Sequence, residues 1–408
     1  MKNIFKFIYN RQDKGIYRIR TIFGIRIITK PKELQYKLYR KIEIIKNKNY
    51  IEKKYKLAIF LRFGIGDYIL FRKFLPYIKE YYKDYNITLI GNYAHKDIVE
   101  NFDMDYIDEY MPYQEYNICP ENLKYVFQNV EYDILISHFY GRTWDIDNII
   151  SHINAKEKIS SYGSLWCNVK YNRARGFTLY NKLIFNHIDE DDKTHETIIN
   201  TDFFEQLLNT KINLKDMNVE LDKDFFEKID FNFNDKYCII FPFSNGKERI
   251  YKTECFAKIC DYLYSKYGLI SYIVGSKNDN EIANKIIEYS NSNSIKNICG
   301  KYKLNEVFYI FNKAKLIITI DSAGYHIGIA VNDNIVCISS GMSYSRYLNY
   351  PKEFVKNKNI NIVLPKELEE DIKNNTAKID YEYYPLYDLQ SIEPNDICKL
   401  IDSKYNLY

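Results

Sequence analysis

Asp321-Ser322-Ala323-Gly324-Tyr325-His326 follows the apolar run Leu316 to Ile320 and opens the helix-like segment Ile327 to Val331. A strand that breaks into small residues before a helix leaves backbone N–H groups unbonded, and such donors suit a phosphate. A second strand-to-helix turn, Phe63-Gly64-Ile65-Gly66-Asp67, lies near the other end of the main body. Its carboxylate, held beside small residues, is the kind of group that takes a proton from a hydroxyl. One turn fits a departing diphosphate; the other fits a base placed opposite it.

Each feature also has an ordinary structural role. An aspartate opening a helix, such as Asp67, is a good cap. Gly64 and Gly66 let the backbone turn closely and form only half of a dinucleotide fingerprint. Lys247, Glu248, Arg249 and Lys252, taken alone, read as a solvated turn, and a lone His326 on a helix reads as a packed polar residue. Asp321 suits capping or orienting its turn, because a bare carboxylate there repels a phosphate.

The elements that must position these residues follow a β-α alternation from Leu57 onward, the pattern of parallel sheets. In the first half the expected strands are 57–63, 86–91, 132–137 and 158–162. A helix follows Asp67, with Ile69, Leu70, Phe74, Leu75 and Ile78 at three- to four-residue spacing. Periodicity fades from Gly163 to Lys193, which predicts a long polar loop carrying Arg173 and Arg175. A helix over 196–209 ends this half, and 210–234 reads as a polar connection. The second half predicts five strands (237–241, 269–274, 295–299, 316–320, 335–339), with helices at 253–266, from Asn278 with a capping box to Glu281, and over 304–313. Pro394 opens a closing helix over 396–404.

At 408 residues, 46% of them hydrophobic, the chain is long enough for two cores. The net charge of +4 hides an asymmetry: Met1 to Lys56 holds seventeen Lys/Arg against four Asp/Glu, and the remainder is net acidic. A basic leader studded with aromatics is drawn to anionic lipid or nucleic acid, or simply keeps the chain soluble. No apolar run reaches the length of a membrane span and no signal-peptide pattern is present, so a cytoplasmic protein is expected. Eight scattered cysteines (119, 167, 238, 255, 260, 299, 337, 398), with no C-x-x-C pair, argue against disulfides and structural zinc.

Leu57-Ala-Ile-Phe-Leu-Arg-Phe-Gly-Ile-Gly-Asp67, Glu131-Tyr-Asp-Ile-Leu-Ile-Ser-His138 and Lys193-Thr-His-Glu196 resemble the first-domain motifs of glycosyltransferase family 9, the heptosyltransferase-like enzymes. Phe241-Pro-Phe-Ser-Asn-Gly-Lys-Glu-Arg249, Val274-Gly-Ser-Lys-Asn-Asp-Asn-Glu281, Ile298-Cys-Gly-Lys-Tyr-Lys-Leu-Asn-Glu306 and Asp321-Ser-Ala-Gly-Tyr-His326 are similar to its second-domain motifs. The likeness covers 57–403. Seven residues on from Pro242, Arg249 falls on the family's phosphate-binding lysine. Three positions depart: Ala323 stands where the family has Gly, Phe243 replaces a Gly beside the phosphates, and Cys337 to Pro351 lacks the common Phe-Gly-Pro.

The resemblance implies a GT-B architecture: an α/β fold of two Rossmann-like, doubly wound domains facing a central cleft, behind a basic N-terminal extension. The expected divisions are 1–56, 57–234 for the acceptor, 235–390 for the donor, and 391–408 as a helix crossing back to the first domain. Asp67 is the expected base. Arg249, Lys247, Ser322, Ala323, Gly324 and His326 are expected on the donor diphosphate, Asn245, Glu281 and Asp321 at the nucleotide and its turn, and Arg346 at the donor sugar. His138, Arg142 and the 163–193 stretch are expected to face the acceptor. No metal or cofactor is expected, since no Asp-x-Asp pair is placed to hold a divalent metal beside a nucleotide.

The implied activity is inverting transfer from a nucleotide-sugar donor, ADP-heptose-like in the family, to a lipid-linked surface glycan. The implied location is the inner face of the cytoplasmic membrane, reached through the basic leader. An epimerase or hydrolase on the same scaffold and a non-catalytic glycan- or membrane-binding module are the competing readings. Nucleic-acid binding is the weakest.

Overall fold

The computed structural model describes residues 9–14, 17–23, 25–29, 43–113, 127, 130–164, 170–188, 193–222, 229 and 236–408. The leader contributes an antiparallel meander of β1 (Tyr9–Lys14), β2 (Tyr17–Ile22) and β3 (Ile25–Thr29). Its alternation of Ile with Arg is a strand pattern, which the charge count had hidden.

The first main sheet is built from β4 (Ile45–Lys46), β5 (Tyr55–Leu61), β6 (Tyr85–Asn92), β7 (Glu109–Tyr113), β8 (Glu131–Ser137), β9 (Asn154–Ser161) and β10 (Lys182–Ile184). Their order is β10-β9-β8-β5-β6-β7-β4, parallel except where β4 meets β7. Leu57 to Leu61 of β5 are wholly buried, as expected of a central parallel strand covered on both faces. β7 was not expected because it contains Pro112. β4 pairs only with Glu109 and Tyr110, so the missing proline N–H faces no second strand.

Helices α1 (Ile65–Arg72) and α2 (Leu75–Tyr81) follow β5, and α3 (Trp144–Ser151) follows β8. The expected loop over 163–193 instead holds α4 (Lys170–Leu179) and β10. The sequence of α4 has no apolar stripe, so periodicity could not reveal it. Helix α5 (Glu196–Leu208) is capped by the His195 side chain, which accepts from the Thr197 N–H, and ends at Asn209 in the left-handed region, φ 48°.

The second sheet contains β11 (Tyr237–Phe241), β12 (Ile270–Ile273), β13 (Ile295–Asn297), β14 (Leu316–Ile320), β15 (Asn334–Ile338) and β16 (Asn359–Val363), in the order β13-β12-β11-β14-β15-β16 and parallel throughout. Six strands are therefore present where five were expected. β16, Asn-Ile-Asn-Ile-Val, lies at the edge and alternates polar with apolar, so it lacks the continuous apolar run of the central strands. Helices α6 (Thr253–Tyr267), α7 (Asn280–Glu288), α8 (Leu304–Lys313), α9 (Ala323–Val331), α10 (Lys366–Asn374) and α11 (Pro394–Lys404) complete this half. The capping box before α7 uses Ser276 and Asp279, two residues earlier than expected.

Both sheets reverse direction beside their first strand, between β5 and β8 and between β11 and β14, where ligands bind in open α/β folds. The halves meet closely. α9 packs on α1, Asp97 Oδ2 accepts from the Leu304 N–H at 3.1 Å, and Phe102 lies 5.4 Å from Phe308. One apolar cluster runs through both halves.

The last helix is a correction to the expected crossover. Asp402 of α11 accepts from Tyr262 and Tyr267 of α6, both at 2.6 Å, and pairs with Lys266. Its apolar face joins a cluster made of second-half residues only.

Candidate active site

The turn after β5 is held from behind. His95 Nε2 lies 2.8 Å from Phe63 O and 3.0 Å from Gly64 O; both are acceptors, so this nitrogen carries the proton. Burial pushes His95 down to about 4, so the ring stays neutral. Arg72 and Tyr68 of α1 both bond Asp103, fixing the helix that follows. Sequence reading missed His95, which lies 32 residues from the turn it supports.

Asp67 is the third residue of α1, and its Oδ2 accepts from the Gly64 N–H at 3.2 Å, so the capping geometry is present. Burial and then the Glu196 carboxylate push Asp67 up to about 6, against the pull of the Arg346 guanidinium. A carboxyl poised near neutrality can exchange a proton in either direction.

In the second half, Arg249 Nε stands 3.4 Å from Asp321 Oδ2. Among the described residues neither atom has a hydrogen-bond partner, and neither does Ser322 Oγ. Asp321 thus orients Arg249, while Ser322 occupies the position before α9. Burial pushes Asp321 up to about 6, partly countered by the Arg249 charge. The amides of Ala323 and Gly324 open α9 without intrahelical acceptors. Gly324 is required here: a Cβ would lie 2.5 Å from Phe241.

His326 joins the two turns. A Cβ at Gly66 would lie 2.5 Å from its Cδ2, so the missing side chain lets α1 and α9 touch one residue from Asp67. His326 Nδ1 bonds Tyr350 Oη at 2.7 Å, and burial followed by the Arg249 charge pushes the ring down to about 3. Asp67, His326, Asp321 and Arg249 therefore share one seam between the sheets.

Other candidates sit further out. Asn245 and Lys247 are exposed on the loop after β11. Glu281 is 80% exposed and bonded to Lys285 at 2.9 Å, whereas Asp279 points back toward Gly275 and Phe243 at the end of β12. Arg346 Nε donates to Glu196 Oε2 at 2.8 Å, joining the halves beside Asp67. Gln390 bonds Ile250 O and the Lys252 N–H, bracing the segment just after Arg249 from the C-terminal side.

Two acceptor-side expectations are corrected. His138 is buried among Phe71, Phe139 and Phe204 and is pushed down to about 3 by burial. Arg142 is fully buried beside Asp147 and Tyr180, with Gly176 over its guanidinium. Both belong to the core because the aromatic residues and α4 close over them. Arg175 stacks on Trp144 at 5.6 Å, and the Arg173 side chain lies outside the described residues. The six cysteines among the described residues are free and buried, while Cys119 and Cys167 lie outside them.

Two doubly wound sheets joined along a seam at their switch points define the GT-B class. Residues 173–371 match the family described as Glycosyltransferase family 9 (heptosyltransferase). A family 9 glycosyltransferase from Veillonella parvula superposes with a TM-score of 0.62 at 18% identity, covering 87% of this chain and 98% of its own. E. coli ADP-heptose lps heptosyltransferase II gives 0.57 at 14%, with 85% and 98% covered. E. coli heptosyltransferase WaaC with ADP-2-deoxy-2-fluoro heptose gives 0.59 at 11%, with 85% and 99% covered. At these identities the likeness is one of fold. No curated protein sequence matches the chain. No helix among the described residues is long and apolar enough to cross a membrane.

Proposed function

We propose that the protein is an inverting glycosyltransferase that moves a sugar from a nucleoside diphosphate to a lipid-linked surface glycan such as lipopolysaccharide. Asp67 takes the proton of the acceptor hydroxyl as that oxygen bonds to the anomeric carbon, and the bond from that carbon to the diphosphate oxygen breaks on the opposite face. Charge developing on the diphosphate is met by Arg249, the Ser322 hydroxyl and the amides of Ala323 and Gly324. Lys247 adds positive potential from the loop, and His326 donates as a neutral ring.

The observation that carries this reading is the contact of His326 with Gly66, which brings the carboxylate turn and the amide-lined helix end to one seam. The match of residues 173–371 to family 9 supports transferase chemistry, and two of the superposed proteins are named for an ADP-heptose substrate or analogue. An ADP-heptose-like donor is therefore the first to test. In this reading the fixed dipoles and Arg249 supply the field that a divalent ion gives elsewhere, so chelator leaves the rate unchanged. The enzyme works at the inner face of the cytoplasmic membrane, where a lipid-linked acceptor resides.

The test is donor turnover with and without acceptor. Transfer that requires acceptor and collapses in Asp67→Asn, with nucleotide binding kept, supports the reading. Full turnover of donor alone points to an epimerase or hydrolase instead, and nucleotide binding without turnover under any condition points to a binding module.

A further inference from the structure

The N-terminal meander presents a surface that the transferase seam does not use. Ile22 pairs with Ile25, so the β2–β3 connection is short and begins at Phe23. Phe23 sits at φ 48°, in the left-handed region that Asn, Asp or Gly normally fills at such a turn. An aromatic ring is thus held at the apex against its backbone preference, 67% exposed, beside Ile25 at 68%. Ile27 and Ile28 are also exposed on β3.

Cations flank this apolar tip. In the register, Arg20 faces Ile27 and Arg26 faces Thr21, so one arginine stands on each side of the hairpin just behind the apex. Residues 9–29 hold five basic residues (Arg11, Lys14, Arg18, Arg20, Arg26) against a single acid, Asp13. Apolar side chains at a tip with arginines one or two residues behind match the depth profile of an anionic bilayer, hydrocarbon first and phosphate above. A phosphodiester strand matches the arginines and the Phe23 ring but leaves Ile25, Ile27 and Ile28 uncovered, because exposed isoleucines offer it no stacking face.

We propose that the β2–β3 hairpin is a lipid-inserting anchor, with Phe23 and Ile25 entering the interface of an anionic membrane and Arg20 and Arg26 contacting its headgroup phosphates. This is sharper than attraction of the leader as a whole. It assigns the contact to four side chains on one hairpin and requires insertion as well as charge. It is read from the hairpin alone and measured without turnover, so its outcome is separate from that of the transfer assay.

The test is flotation of the full chain with phosphatidylcholine vesicles, with and without phosphatidylglycerol. The wild type floats with the anionic vesicles only, and the binding weakens with salt. Arg20→Gln with Arg26→Gln weakens it about 30-fold, and Phe23→Ser with Ile25→Ser roughly tenfold, with the thermal melt of the main body unchanged. A Phe23→Trp chain reports insertion directly, its added emission shifting to the blue on anionic vesicles. Equal flotation on neutral vesicles, full binding in either double variant, or an unshifted Phe23→Trp emission overturns the anchor. So does self-association or duplex retention that the Phe23→Ser, Ile25→Ser chain loses while vesicle binding persists.

Discussion

The turn from β5 into α1 and the turn from β14 into α9 each follow a strand that borders its sheet's switch point, the first parallel strand in one sheet and the fourth in the other, yet they are charged oppositely. The first places a carboxylate inside the helix's opening turn, at Asp67. The second moves its aspartate, Asp321, ahead of the helix, turns it onto Arg249, and leaves the opening turn without an acid. One architecture therefore yields an acidic turn and an anion-accepting turn through the position of one aspartate relative to the first helical amide. The comparison makes four predictions.

The largest effect is expected at the acidic turn. Asp67→Asn lowers kcat by about 10³-fold while leaving affinity for ADP within twofold, measured by steady-state transfer and calorimetry. The same change stabilises the fold. Burial raises the Asp67 pKa from 3.8 to about 6, so the folded state loses stability as pH rises from 3.8 through 6, and the whole cost is present above 6. Since Asp67 keeps some solvent contact, the gain on neutralising it is roughly 1–2 kcal/mol at pH 7.5 by urea unfolding. If Asp67 served only as a cap, Asn would leave transfer unchanged.

At the anion-accepting turn, Arg249→Gln weakens ADP binding about 10- to 100-fold with a smaller change for free nucleoside. Arg249→Lys recovers part of it, because a point charge lacks the guanidinium fork. Equal losses for ADP and nucleoside would show that Arg249 holds the loop instead of the diphosphate.

The seam between the turns is probed by Gly66→Ala. The added carbon meets His326, and a cost of about 1–3 kcal/mol in stability or closure is expected. His326→Ala in the same chain relieves it, which a double-mutant cycle measures. Additive losses would mean that the two helices are not held by this contact.

The smallest effect is a displaced pH limb. Log kcat/KM falls as pH drops below about 6, where Asp67 takes up a proton. Glu196→Gln removes a repelling charge and moves the limb to lower pH, whereas Arg346→Gln removes an attracting one and moves it to higher pH. Movement of both variants in the same direction would detach Glu196 and Arg346 from the carboxylate.

How much of this was legible depended on whether the signal was local. Strands Tyr237–Phe241 and Leu316–Ile320 and helix Leu304–Lys313 have the bounds expected from sequence, because their residues are mostly buried and turn signals fall at both ends. The two strand-to-helix turns were visible for the same reason. β7 was hidden by Pro112, β16 by its polar alternation, and the meander by its arginines. Contacts made through the fold left no local trace. Glu196 meets Arg346 across 150 residues, and His95 reaches back 32 to carbonyls that any sequence supplies. His138 and Arg142 look functional in a string of letters, and only the aromatic packing around them shows that they are core.

The bonds of Gln390 to Ile250 O and the Lys252 N–H turn the chain's tail into a splint for the loop that carries Arg249. Gln390→Ala would spare every residue assigned to the seam and keep α11 on α6. It would still leave the guanidinium swinging on an untethered loop, so a change 141 residues away in the chain is expected to read out as loss of grip on the leaving group.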